Sequence, residues 1–118
     1  MNDLHTTKAF DTDLQDLARM VAEMGGLAEK LVADSVDALA KRDSALAQRI
    51  TQADANIDAL QREIEEKAIN TIARRQPMAV DLREIVGALR LANDLERIGD
   101  LAKNIAKRVI ALNGEFPP

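Results

Sequence analysis

A chain of 118 residues is long enough for one domain with its own core, and at 47% hydrophobic it has the apolar mass to build one. Aromatic residues are only 2% (Phe10 and Phe116, with no Trp or Tyr), so the core must be Leu, Ile, Val and Ala, which suits helix-on-helix packing better than a sheet sandwich. A net charge of -4 with 31% charged residues predicts an acidic, soluble surface, and without aromatic–basic interleaving it excludes a nucleic-acid partner.

The first predicted element is a helix from about Thr7 to Lys41. Phe10, Leu14, Leu17, Val21, Met24, Ala28, Leu31, Ser35 and Ala38 follow a heptad-like step with Ser35 as the polar interruption. Gly25-Gly26 inside that pattern weakens the helix by up to about 1 kcal/mol per residue and allows a bend or a close helix approach. At "KRDSALAQ" Asp43 or Ser44 is placed to cap a second helix. This helix carries Leu46, Ile50, Ala53, Ile57, Leu60, Ile64, Ala68 and Ile72, and ends at "RRQP", because Pro77 lacks an amide hydrogen and disfavours helix at Gln76. The third helix starts between Ala79 and Asp81 and continues to Leu112, with Asn113-Gly114 as its stop and "EFPP" as the beginning of a linker. Three long amphipathic helices joined by short turns define an all-α antiparallel three-helix bundle occupying residues 1–118.

The third helix has two apolar stripes. Leu91, Leu95, Ile98, Ala102, Ile105, Val109 and Leu112 recur at steps of four and three, a seam expected to bury. Leu82, Ile85, Val86, Leu89 and Ala92 lie on another side, and are expected to leave apolar surface through which the bundle associates. That second stripe runs on through Asn93, Glu96 and Asp100, so the acids are either a solvated face or a polar patch partly shielded from water. The second helix repeats the device with Asp54 and Asp58, a face that Gln61 and Glu65 continue.

Folding the hairpin about Pro77 places Asp58 roughly level with Arg97 and Asp54 roughly level with Leu101. Asp54, Asp58, Glu96 and Asp100 then share one height on adjacent helices, a costly arrangement without a counter-ion. Oxygen-only ligands suit hard cations such as iron(III), manganese, magnesium or calcium. Arg97, Lys103 and Lys107 offer the plainer alternative of surface ion pairs, each worth about 0–1 kcal/mol.

Other chemistries find little support. The single histidine, His5, reads as a solvated tail residue, and with no cysteine there is neither a disulfide nor a thiolate ligand. No nucleophile triad or phosphate-cradling loop is present, so no catalytic residue is assigned and a non-enzymatic role is expected. The N-terminus lacks the apolar core of a signal peptide and no run reaches bilayer length, which predicts a cytoplasmic protein.

The run "IARRQPMAVDLREIVGALRLANDLERIGDLAKNIAKR", with "HTTKAFDTDLQDL" and "MGGLAEK" upstream, resembles the PhoU family of bacterial phosphate-signalling regulators over essentially the whole chain. The resemblance implies a PhoU-like, spectrin-repeat-like bundle, one of two tandem repeats, so that the chain is either half of a two-bundle protein or a single-repeat variant. It also implies that an acid followed four residues later by Asp, here Asp54–Asp58 and Glu96–Asp100, holds a multinuclear metal cluster of iron(III), or of manganese, magnesium or zinc. The implied role is negative regulation of phosphate uptake and phosphate-starvation signalling. In it the protein acts as an adaptor between a phosphate ABC transporter and a sensor histidine kinase, peripheral to the membrane through those partners only, and as a homodimer. Asp81 and Arg83 in "DLR" match a family patch thought to meet partners, against the plainer reading that Asp81 complements the helix dipole. A carboxylate-bridged metalloenzyme and a purely structural, dimerising bundle are the competing classes.

Overall fold

The computed structural model describes residues 2–114, and side chains from Lys8 onward, so His5 and "EFPP" lie outside the described side chains. Three helices run in order: α1 (Asn2–Lys41), α2 (Ser44–Arg75) and α3 (Ala79–Leu112). They pack up-down-up into a rod of 65 × 20 × 18 Å in which every helix touches both others. The boundaries follow the sequence signals closely. The Asp43 carboxylate accepts the Leu46 amide at 3.0 Å and caps α2. Gln76, in the left-handed region at φ 48°, donates its amide to the Ile72 carbonyl and ends that helix just before Pro77. At the far end, the Asn113 side-chain amide donates to the Arg42 carbonyl at 2.9 Å and the Ser44 hydroxyl at 2.6 Å, fastening the end of α3 to the α1–α2 turn.

The heptad positions of α1 and α2 form the core as expected. Leu17, Met24, Ala28, Leu31 and Ala38 meet Ile50, Ile57, Ile64 and Ala68. Ser35 is buried without penalty, because its hydroxyl donates to the Val32 carbonyl at 2.7 Å. α1 passes through Gly25-Gly26 as continuous helix, and a side chain at Gly25 would meet only Leu95, at an ordinary 3.9 Å. Neither a bend nor a close approach is needed there, because packing along 40 residues outweighs the weak propensity of two.

α3 corrects the expectation for its two stripes. The buried line is Ile85, Ala92, Gly99, Ala102, Ala106, Val109 and Ile110, so the stripe through Ile85 and Ala92 is core, not a leftover face. Of the expected seam only Ala102 and Val109 are buried, while Leu91, Ile98 and Leu112 stand exposed. The small residues at 92, 99, 102 and 106 explain the choice. They let α3 lie close against both neighbours, where a line of leucines would hold it off.

A polar anchor invisible to the heptad analysis joins α1 to the end of α2. Asp13 is buried and accepts hydrogen bonds from Lys67 Nζ at 2.9 Å and Arg75 Nε at 3.1 Å. Burial alone would push its carboxyl up, but the hydrogen bonds and charges of Lys67 and Arg75 outweigh burial and hold it below 3.8. Because Asp13 binds protons less readily folded than unfolded, its stabilisation is present above 3.8 and lost as pH falls through the lowered folded value. Asp13→Ala should therefore destabilise by about 2 kcal/mol at neutral pH, as expected for hydrogen bonds to charged groups. Urea melts should show that difference vanishing in acid. A constant difference across pH would assign the effect to packing instead.

Candidate metal centre

The centre lies where α2 passes α3, nearer the α1–α2 turn than the Pro77 turn. Asp54 occupies a core-facing position of α2, one helical turn before Ile57, and is only 2% exposed. It fits because α3 presents Gly99 at that height. A Cβ on residue 99 would stand 3.0 Å from Asp54 Oδ1 and 3.1 Å from Ile57 Cδ1, so the missing side chain is the space the carboxylate occupies. One oxygen, Oδ2, lies 3.6 Å from Lys103 Nζ. The other, Oδ1, is buried without any hydrogen-bond partner, which costs about 1–3 kcal/mol for a polar group and more for a charged one.

Asp58 and Glu96 are half-buried and Asp100 is exposed, which agrees with a polar patch partly shielded from water. The hairpin register is one or two residues from that expected: Asp54 stands level with Gly99, and two turns further along, Gln61 Nε2 donates to Asn93 Oδ1 at 3.5 Å. The acids sense one another. Burial raises the Asp54 carboxyl, the negative charges of Asp58 and Asp100 add to the rise, and Lys103 opposes it. Burial likewise raises Glu96, helped by its hydrogen bond with Asp100 and by the charges of Asp100, Asp58 and Asp54. Among the described residues, however, no three His, Cys, Asp or Glu side chains stand at ligand spacing. The four acids form a shared electronegative level with one buried, unsatisfied oxygen, not a closed cage. Of the three cations weighed as neutralisers, Lys103 alone makes an ion pair with this level among the described residues.

The donor chemistry fits a hard cation: four carboxylates, an orphaned oxygen, and a cradle that any Cβ would fill. Asp81 and Arg83 are not part of this level. They occupy the first two turns of α3, 19 and 17 residues before Asp100 and so about 26–28 Å away along the helix. Asp81 is half-buried in a shallow groove with Phe10, Arg75 and Pro77, and Arg83 is exposed. Two residues eluded the sequence reading. Asp13 finds its partners far along the chain on α2, and the role of Gly99 depends on Asp54 across the hairpin.

Comparison with known proteins bears on this arrangement. The family model "PhoU domain" matches residues 21–109. The phosphate-specific transport system accessory protein PhoU homolog of Rhizobium meliloti is 58% identical over all of this chain, which spans 50% of that protein. The homolog of Caulobacter vibrioides is 50% identical over 96% of this chain and 49% of its own length. The crystal structure of PhoU from Pseudomonas aeruginosa superposes with a TM-score of 0.86 at 44% identity, over 90% of this chain and 51% of that one. The chain thus spans about half the length of the curated relatives it matches. By sequence over most of its length and by fold, it belongs to the PhoU domain family.

Proposed function

We propose that this bundle is a metal-binding regulatory module of phosphate uptake and phosphate-starvation signalling. In this reading it acts as a non-enzymatic adaptor between a phosphate ABC transporter and a sensor histidine kinase. The names of its relatives support the phosphate system, and the metal reading rests on one observation, the buried Asp54 oxygen that no protein group satisfies. Asp54 would hold the ion from the cradle opposite Gly99, with Asp58, Glu96 and Asp100 closing from the rim. A bound iron(III), manganese, magnesium or zinc ion, alone or in a cluster, supplies positive charge where four carboxylates otherwise repel. Lys103 would then be the displaced counter-ion. Partner contact belongs to the other end of the rod, where Asp81 and Arg83 stand beside Met78 and Val80, two of the most exposed apolar side chains. None of the three helices has an 18-residue window apolar enough to cross a membrane, so membrane proximity in this reading comes through partners.

Elemental analysis of protein purified without chelator tests the reading. The wild-type chain should retain metal, and Asp100→Asn should lose most of it while its helical circular dichroism is unchanged. Equal metal content in wild type and an Asp58→Asn/Asp100→Asn double variant would rule out the assignment.

A further inference from the structure

Between α1 and α3, on the half of the rod nearer the Pro77 turn, lies a groove of about 310 Å³. Its floor is Leu14, Leu17, Val21 and Leu91, and Ala18 and Gly87 keep its walls low. Glycine in a helix interior weakens it relative to alanine. Nothing in the chain stands within 4 Å of where a Cβ on residue 87 would lie. Unlike Gly99, Gly87 therefore serves no contact inside the bundle, and its effect is to leave the groove open. Toward the turn the groove runs on past Glu84 to Asp11, Gln15 and Asp81. No lysine or arginine lines either part. None of the three carboxylates makes a salt bridge among the described residues. One end of the groove is apolar, and the other carries unpaired negative charge.

We propose that this groove docks a basic amphipathic helix of a partner protein. A bulky apolar side chain of that helix fills the space beside Gly87, and a lysine or arginine about one to two turns along it meets Glu84, Asp11 and Asp81. Helices recognised in grooves present anchors at such spacings on one face. Between Asp81 and Leu91, α3 rises about 15 Å, which accommodates about three turns of a partner laid along it. The charge decides the class of partner. An acidic helix would meet like charge, and a wholly apolar one would take water from the carboxylates with nothing to replace it.

A fluorescent peptide of leucine and lysine at amphipathic helical spacing is the probe, and its leucine–glutamate counterpart is the control. Chelator is present throughout, so bound metal has no part in the result. Asp81, which also belongs to the partner end proposed above, is left intact so that this groove is tested separately from that end. Fluorescence anisotropy should show the lysine peptide binding and the glutamate peptide not. Gly87→Leu fills the groove without changing the charge of the protein, and should weaken binding about tenfold or more. Ala18→Leu does the same from the α1 wall, so the test survives if one of the two variants folds poorly by circular dichroism. Glu84→Lys should weaken binding by a similar factor, whereas Glu63→Lys, the same charge change on an exposed position of α2, should alter it much less. The proposal is overturned if the lysine peptide fails to bind or binds the filled grooves as well as the open one. Equal weakening by Glu63→Lys and Glu84→Lys also overturns it, because attraction to net charge would then account for the binding.

Discussion

Truncating Ile57 to alanine should destabilise the bundle by about 2–5 kcal/mol, the range for a buried isoleucine whose surroundings relax only in part. Ile57 is fully buried in the core, and its δ-carbon lies against Gly99 of α3. Removing it takes away apolar contact and also one wall of the cradle that holds Asp54. The same truncation at Ile69, exposed on the outer face of α2, should change stability by less than about 0.5 kcal/mol. Denaturant titration of the two variants decides the matter. Similar midpoints for both would mean that Ile57 is not the core position described.

A multivalent cation should stabilise the folded chain by about 2.7 kcal/mol at a hundredfold excess of free ion over Kd, seen as a rise in melting temperature at pH 7–8. Asp54 and Glu96 are both raised in the folded state. A carboxyl so raised contributes stability below its unfolded pKa and loses it as pH rises through the folded value. In the metal-free chain this level therefore costs stability at neutral pH, where a cation has most to relieve. Protons compete for the same oxygens, so the gain should shrink as pH falls toward the carboxylate range. Scanning calorimetry with manganese or iron from pH 5 to 8 checks this. Coincident melting temperatures with and without metal would mean that Lys103 alone neutralises this level and no ion binds there.

The helix boundaries were legible because each rests on local chemistry: the Asp43 carboxylate reaches an amide three residues on, and Pro77 forbids helix at its predecessor. The level of the acids was legible within two residues because a short turn leaves little freedom in antiparallel register. The rotation of α3 was not. Its two stripes are similarly apolar, and the choice between them depends on whether Ala92, Gly99, Ala102 and Ala106 find close neighbours, which is a property of the other two helices. The Asp13 anchor escaped for a related reason, since its partners Lys67 and Arg75 are 54 and 62 residues away.

The line of small residues along α3 also makes that helix a gear between two faces. Acids point from one flank toward α2, and the leucine seam points from the other, away from the rest of the molecule. Both are carried by one continuous helix with no proline between residues 88 and 112. A turn of α3 that brings Glu96 and Asp100 nearer Asp54 must swing Leu91, Ile98 and Leu101 through the same angle.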